Sequence, residues 1–125
     1  MVDVLVVDDQ RPFRDAARMV LALSTGFELI GEAETGLQSV ELAIALHPDL
    51  VLMDVNLPDV DGFEATRRIR EAVQRPPIVV MLSTYEAVDY ADRAIDAGAA
   101  AFLSKSTFTP EELRRVWDQA NAQIG

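Results

Sequence analysis

Five short apolar runs, each followed by a segment with helical periodicity, constrain the fold of this chain more than any other feature. The runs cover residues 4–7, 27–33, 50–53, 78–82 and 100–104. This alternation predicts a doubly wound α/β fold, in which a parallel sheet carries helices on both faces. The second run contains Glu28 and Glu32, so we place it at an edge of the sheet.

The five helical segments each have an apolar stripe and a recognisable start. We expect Pro12 in the first turn of the first helix, Asp61 as the N-cap of the third, and a capping box from Thr109 to Glu112 before the fifth. The positions expected to face the sheet are Phe13, Ala16, Ala17, Val20 and Leu21 in the first helix, Leu37, Val40 and Ile44 in the second, Phe63, Thr66, Ile69 and Val73 in the third, Val88, Ala91, Ala94 and Ile95 in the fourth, and Leu113, Val116, Trp117, Ala120 and Ile124 in the fifth.

Length and composition limit the class of protein. The 125 residues, half of them hydrophobic, fit one domain over residues 1–125. A formal net charge of −10 argues against direct nucleic-acid binding by this segment. The absence of cysteine excludes disulfides, thiolate metal sites and cysteine nucleophiles. No secretory signal pattern and no apolar run of about 18–20 residues is present, so we expect a cytoplasmic protein that does not enter the membrane.

Chemically active side chains follow four of the five apolar runs. Asp8 and Asp9 follow the first, Asp54 the third, Ser83 the fourth and Lys105 the fifth. In a doubly wound sheet, ligands bind beyond the carboxyl ends of the strands, so we expect these residues to share one crevice. Each acidic residue alone could simply cap the next helix, and Ser83 alone could be a turn residue. Their combination favours a site.

The residue types in this crevice suit phosphoryl transfer. Clustered carboxylates bind a hard cation such as Mg²⁺. Asp54 is the expected nucleophile, since it ends a central strand and an open loop follows it, and its attack on phosphorus gives an aspartyl phosphate. The ammonium of Lys105 and the hydroxyl of Ser83 would stabilise the transferred phosphoryl oxygens.

The order and spacing of these residues, with the 58–62 turn after Asp54, resemble the receiver domain of bacterial two-component response regulators over nearly the whole chain. The resemblance implies a flavodoxin-like (βα)5 fold with strand order 2-1-3-4-5. It implies that Asp54 accepts a phosphoryl group from a sensor histidine kinase. Asp9, Asp54 and the main-chain carbonyl of Asn56 would bind Mg²⁺, with Asp8 helping through a water molecule.

The same resemblance implies a signalling switch and not a turnover enzyme. Ser83 and Phe102 would be the switch pair, although an aromatic residue in the last strand could also serve packing alone. The regulated face would comprise the fourth helix, fifth strand and fifth helix, and would form a homodimer or release an effector domain. The pattern at residues 82–86 and 105–106 is similar to receivers of LuxR/NarL-type transcription factors, which implies control of transcription through a DNA-binding domain outside this chain.

Two departures from the common receiver pattern affect the site. A small residue usually follows the hydroxyl residue, whereas this chain has Thr84 and then Tyr85, so access to Asp54 would be narrowed and Tyr85 would lengthen the phosphorylated lifetime. Ser106 follows Lys105 in place of the usual proline, and a cis peptide there would cost about 2.5–4 kcal/mol. The sequence leaves the isomer open.

Two other functions are compatible with parts of the pattern. A phosphohydrolase of the haloacid dehalogenase type also uses an aspartate nucleophile and Mg²⁺, but it usually has a second aspartate where this chain has Asn56, and a cap insertion that is missing here. A flavodoxin-like binding domain would share the fold, but the acidic crevice opposes an anionic flavin phosphate.

Overall fold

A computed structural model describes the backbone of residues 1–84 and 88–124 and the side chains of residues 1–84 and 90–123. The strands are β1 (Val2–Val7), β2 (Phe27–Ala33), β3 (Leu50–Asp54), β4 (Ile78–Ser83) and β5 (Ala101–Ser104), and the helices are α1 (Arg11–Ala22), α2 (Gly36–Leu46), α3 (Gly62–Ala72), α4 (Val88–Ala97) and α5 (Pro110–Ile124). A 3₁₀ turn, Lys105–Thr107, separates β5 from α5.

The five strands form one parallel sheet in the order β2-β1-β3-β4-β5. This confirms the predicted topology and the edge position of β2. β3 and β4 are fully buried, as expected of continuous apolar runs that are covered on both faces.

Alternate residues of the strands supply two separate cores. Leu5, Met53 and Met81 face α2, α3 and α4, whereas Val6, Leu52 and Leu82 face α1 and α5. The period of two along each strand is what divides the apolar residues between the two faces.

The start signals of two helices are confirmed. Asp61 Oδ1 accepts a hydrogen bond from the Glu64 N–H at 2.8 Å, and Thr109 Oγ1 accepts one from the Glu112 N–H at 3.2 Å. The carboxylate of Glu112 pairs with Arg115 at 2.7 Å. α3 and α5 therefore begin where the sequence predicts.

Four predicted inward positions are wrong, because Ala16, Leu37, Ile44 and Ile95 are exposed. In α2 the buried positions are the small residues Gly36, Ser39 and Ala43. A Cβ at Gly36 would overlap Val60 of the loop before α3, so small residues permit a close approach that larger ones would block. In α4, Ala94 and Ala97 pack against the sheet in the same way. The side chains of Val88 and Ile124 lie outside the described part.

Gly62, the first residue of α3, packs directly on the strand end that carries Asp54. A Cβ there would overlap the main-chain carbonyl oxygen of Asp54 and lie 2.8 Å from Met81 Cε. The neighbours are buried and cannot move aside cheaply. The absence of a side chain at this position thus allows α3 to approach the end of β3.

We predict that Gly62→Ala lowers the free energy of unfolding by about 1–3 kcal/mol, because it overpacks a rigid contact. Urea denaturation followed by circular dichroism measures the loss. Gly31→Ala is the matched control, because its Cβ would meet mainly the tip of the half-exposed Leu46 side chain, which can move. Equal losses in the two variants would contradict the explanation.

Candidate functional site

Three carboxylates meet at the carboxyl ends of β1 and β3. One oxygen each of Asp8, Asp9 and Asp54 lies within 4.8 Å of the others. Asp8 and Asp54 are buried, whereas Asp9 is exposed. The sheet register explains the meeting, because Val7 pairs with Met53 and the residues that follow them are Asp8 and Asp54.

Lys105 lies between the two buried carboxylates. Its Nζ is 2.6 Å from Asp8 Oδ2 and 3.5 Å from Asp54 Oδ1, and its side chain is only 9% exposed. The contact with Asp8 is an ion pair without good hydrogen-bond geometry, since Asp8 Oδ2 has no hydrogen-bond partner among the described residues. The structure therefore brings Lys105 to the acidic cluster, as the strand-end pattern predicts.

Main-chain groups fix the orientation of the carboxylates. Asp8 Oδ1 accepts a hydrogen bond from the Gln10 N–H at 2.8 Å, and Asp54 Oδ1 accepts one from the Asn56 N–H at 3.3 Å. Arg14 donates to the main-chain oxygen of Asp8 at 2.8 Å. No signal in the sequence pointed to Gln10 and Arg14, because their contacts depend on how the loop after β1 turns.

A pocket of about 100 Å³ opens above Asp54. Its lining residues are Asp9, Gln10, Asp54, Asn56, Thr84 and Lys105. Thr84 is exposed and lines this pocket, and its effect on access to Asp54 stays a prediction. Tyr85 lies outside the described residues. Ser83 is completely buried at the end of β4.

A larger groove of about 520 Å³ adjoins the pocket between α1 and the end of β2. Two arginine and two glutamate side chains that line this groove form ion pairs with one another. Arg14 lies 3.5 Å from Glu32 and 3.1 Å from Glu34, and Arg18 lies 2.5 Å from Glu32. The smaller pocket, which holds Asp54 and the acidic cluster, is the better candidate for chemistry.

The electrostatics of the cluster favour a bound cation. The pKa of Asp54 is raised to about 6, mainly because the carboxyl group is buried and secondly because of the negative charge of Asp8, while Lys105 opposes the rise. A single ammonium thus does not fully offset two buried carboxylates. Carboxylate oxygens are hard ligands, and Asp8 Oδ2, which pairs with the Lys105 ammonium but makes no hydrogen bond in the described part of the chain, can also bind a metal ion. The residues present fit a divalent metal ion. Asn56 lines the pocket, and its carbonyl remains a predicted ligand.

Phe102 belongs to an aromatic cluster that joins β5 to two helices. Its ring lies 6.4 Å from the ring of Tyr90 in α4, and Tyr90 lies 5.8 Å from Phe63 in α3, both edge-on. The Arg93 guanidinium stacks over Phe63 at 4.2 Å. Phe102 is half-buried, so its ring contacts α4 without being enclosed in the core.

The segment after β5 is held by hydroxyl groups in place of proline. The Lys105–Ser106 peptide is trans. The hydroxyls of Ser104 and Ser106 lie 2.8 Å apart, and Thr107 donates to the Ser104 carbonyl at 3.1 Å. These contacts define the turn that carries Lys105 toward β1.

Residues 4–118 match the sequence model of the response regulator receiver domain. The chain therefore belongs to the response regulator receiver family. It is 35% identical over 120 residues to the transcriptional regulatory protein YdfI of Bacillus subtilis, covering 96% of this chain and 55% of that protein. It is 37% identical over 113 residues to a protein-glutamate methylesterase/protein-glutamine glutaminase of Syntrophus aciditrophicus, covering 90% and 32%.

Solved structures give the same family. The signal receiver domain of the response regulator NarL from Mycobacterium tuberculosis superposes with a TM-score of 0.87 at 32% identity, covering 96% of both chains. This supports the expected likeness to NarL-type receivers. The chain spans about a third to just over half the length of the two curated relatives above. Within the described residues, no helix is long and apolar enough to cross a membrane.

The raised pKa of Asp54 predicts a pH-dependent stability in metal-free buffer. The folded chain holds the Asp54 proton up to about pH 6, whereas the ordinary pKa is 3.8. The stabilising contribution of this proton should therefore be lost as the pH rises from about 4 to 6, and it should stay lost above 6. We expect the stability of Asp54→Asn relative to wild type to increase by about 2–3 kcal/mol between pH 4 and 7.

Urea denaturation in EDTA at several pH values measures this difference. Asp15→Asn is a suitable control, because Asp15 is an exposed carboxylate on α1. A difference between Asp54→Asn and wild type that is constant with pH would show that Asp54 has an ordinary pKa in the folded chain.

Proposed function

We propose that this receiver domain is a phosphorylation-activated switch in which Asp54 accepts a phosphoryl group from a sensor histidine kinase. The observation that carries the proposal is the placement of a buried carboxylate at the base of a small pocket, 3.5 Å from the ammonium of Lys105. Family membership supports the same chemistry, because receiver domains of two-component systems act with sensor kinases.

The proposed reaction is an in-line displacement at phosphorus. One Asp54 oxygen forms a bond to phosphorus, the bond from phosphorus to the phosphohistidine nitrogen breaks, and that nitrogen keeps the electron pair. Lys105 neutralises charge on the phosphoryl oxygens, and the Ser83 hydroxyl hydrogen-bonds one of them. Asp8, Asp9, Asp54 and the Asn56 carbonyl would hold Mg²⁺, which when bound supplies further charge neutralisation.

We predict that wild type takes up one phosphoryl group from acetyl phosphate in the presence of Mg²⁺ and that Asp54→Asn takes up none, because the nucleophilic carboxylate is replaced by an amide. Intact mass measures the uptake. Asp15→Asn, an exposed carboxylate substitution on α1, should label like wild type. Excess EDTA should abolish labelling, since phosphate must approach a carboxylate cluster. Equal uptake by wild type and Asp54→Asn would reject Asp54, and undiminished labelling in EDTA would reject the metal requirement.

We further propose that the output is transcription, through a DNA-binding effector domain in the whole protein. The relatives include transcriptional regulatory proteins, of which this chain spans only a part. A methylesterase output is the second candidate, since one relative carries that name. In either case the catalytic or DNA-binding work would lie outside the receiver fold, and the receiver would control it.

The proposed switch connects Ser83 to Phe102. When phosphate draws the Ser83 hydroxyl toward Asp54, Phe102 would pack inward and leave Tyr90 on α4. The α4-β5-α5 face would then change shape and favour a homodimer or a freed effector domain. We expect phosphorylation to bias an existing equilibrium by roughly 1–3 kcal/mol.

We predict that beryllofluoride, which mimics the phosphoryl group, shifts amide resonances of α4 and β5 as well as those beside Asp54. The physical reason is the contact between Phe102 and Tyr90, through which a moving ring disturbs α4. Two-dimensional NMR with and without beryllofluoride is the measurement, and Asp54→Asn is the control that should not respond. Shifts confined to the Asp54 pocket, with none in residues 88–104, would reject the switch.

A phosphohydrolase of the haloacid dehalogenase type remains the alternative enzyme function. Asn56 stands where such enzymes usually have their acid/base aspartate, which argues against it. Sustained turnover of phosphomonoesters would favour the enzyme, and a single stable phosphorylation would favour the switch.

A further inference from the structure

Lys105 has a third neighbour besides the two carboxylates. Its Nζ lies over the ring of Phe13 in α1, 4.6 Å from the ring centre. A lysine ammonium within about 6 Å of an aromatic face is attracted by the ring quadrupole. Phe13 lies near the opposite end of the chain, yet its ring faces the Lys105 ammonium, which the proposed phosphoryl transfer uses to neutralise charge.

The Phe13 ring differs from the carboxylates in what it does to the ammonium. Asp8 and Asp54 hold Lys105 through opposite charge, and both are also predicted metal ligands. Once a metal ion and a phosphoryl group bind to these carboxylates, their electrostatic attraction for the Lys105 ammonium decreases. The aromatic ring carries no net charge, so it can restrain the ammonium and leave its full positive charge for the phosphoryl oxygens.

Phe13 is itself held in position by the turn that carries Lys105. Its ring lies 6.0 Å from the ring of Phe108, which is buried. The Phe108 N–H donates to the main-chain carbonyl of Lys105 at 3.4 Å. The ring pair therefore joins α1 to the segment after β5, close to the base of the lysine side chain.

We propose that Phe13 is a positioning residue for phosphoryl transfer, in which its ring restrains the Lys105 ammonium at the edge of the Asp54 pocket. This inference rests on the proposed phosphorylation of Asp54. Without a restraint, a flexible four-carbon side chain populates conformations in which its ammonium does not reach the phosphoryl oxygens. Correct placement of a catalytic group accounts for a large part of its effect on rate. Phe13 acts through Lys105 and touches no reacting atom.

The test compares three single variants. Phe13→Leu removes the aromatic face and keeps an apolar side chain, and we expect it to slow labelling by acetyl phosphate roughly three- to tenfold. Phe13→Tyr keeps the aromatic face and should label close to the wild-type rate. Phe108→Leu loosens the packing that holds the Phe13 ring but leaves the ring itself, so it should slow labelling to a degree between wild type and Phe13→Leu.

A double-mutant cycle separates positioning from general structure. In a Lys105→Ala background there is no ammonium to position, so adding Phe13→Leu should not slow the residual labelling further. An equal slowing with and without Lys105 would overturn the proposal, because Phe13 would then act through the fold. Wild-type labelling rates in Phe13→Leu would overturn it as well.

A second readout does not depend on phosphorylation. The ε-methylene protons of Lys105 should show an upfield ring-current shift in NMR spectra of wild type and Phe13→Tyr, and lose it in Phe13→Leu. Absence of that shift in wild type would overturn the proposed contact. If the shift is present but wild type takes up no phosphate, the proposed function has failed. If phosphate is taken up and Phe13→Leu is not slower, only this inference has failed.

Discussion

The repulsion between two buried carboxylates, Asp8 and Asp54, is the constraint on which the rest of the site depends. Both are placed by the ends of adjacent strands, where water is largely excluded, so a nearby positive charge is required. Lys105 supplies one, but the pKa of Asp54 still rises to about 6. The site can therefore accept further positive charge, which is what the proposed metal binding and phosphoryl transfer require.

Lys105 reaches the carboxylates only because of the turn after β5. In this sheet β5 is three places from β1, a separation of roughly 14 Å at the usual strand spacing. A lysine side chain is too short to cover that distance alone. The Lys105–Thr107 turn carries the main chain part of the way, and the hydroxyls of Ser104 and Ser106 hold it.

The sequence predicted the strands and the meeting of Asp8, Asp9, Asp54 and Lys105, because apolar runs and strand ends are local signals, whereas the strand order was implied by the resemblance to receiver domains. It misjudged Leu37, Ile44 and Ile95, because a helix is oriented by how closely its small residues approach their neighbours. The contact between Phe13 and Lys105 joins residues 92 positions apart, from Phe13 at 13 to Lys105 at 105. No periodic pattern reports such a contact, since it depends on the path of two loops.

The aromatic cluster gives the proposed switch a physical route to the surface. Phe102 is half-buried and meets Tyr90 edge-on, so an inward turn of Phe102 would remove a contact from α4. Tyr90 would keep its contact with Phe63, and Arg93 its position over the Phe63 ring. α4 would therefore remain attached to α3 while losing its link to β5. A change of that kind alters the α4-β5-α5 face without unfolding it, because one edge-on ring contact is worth only about 0.5–1.5 kcal/mol. That energy overlaps the roughly 1–3 kcal/mol by which coupled sites typically bias an equilibrium, so loss of this contact can contribute to the proposed switch.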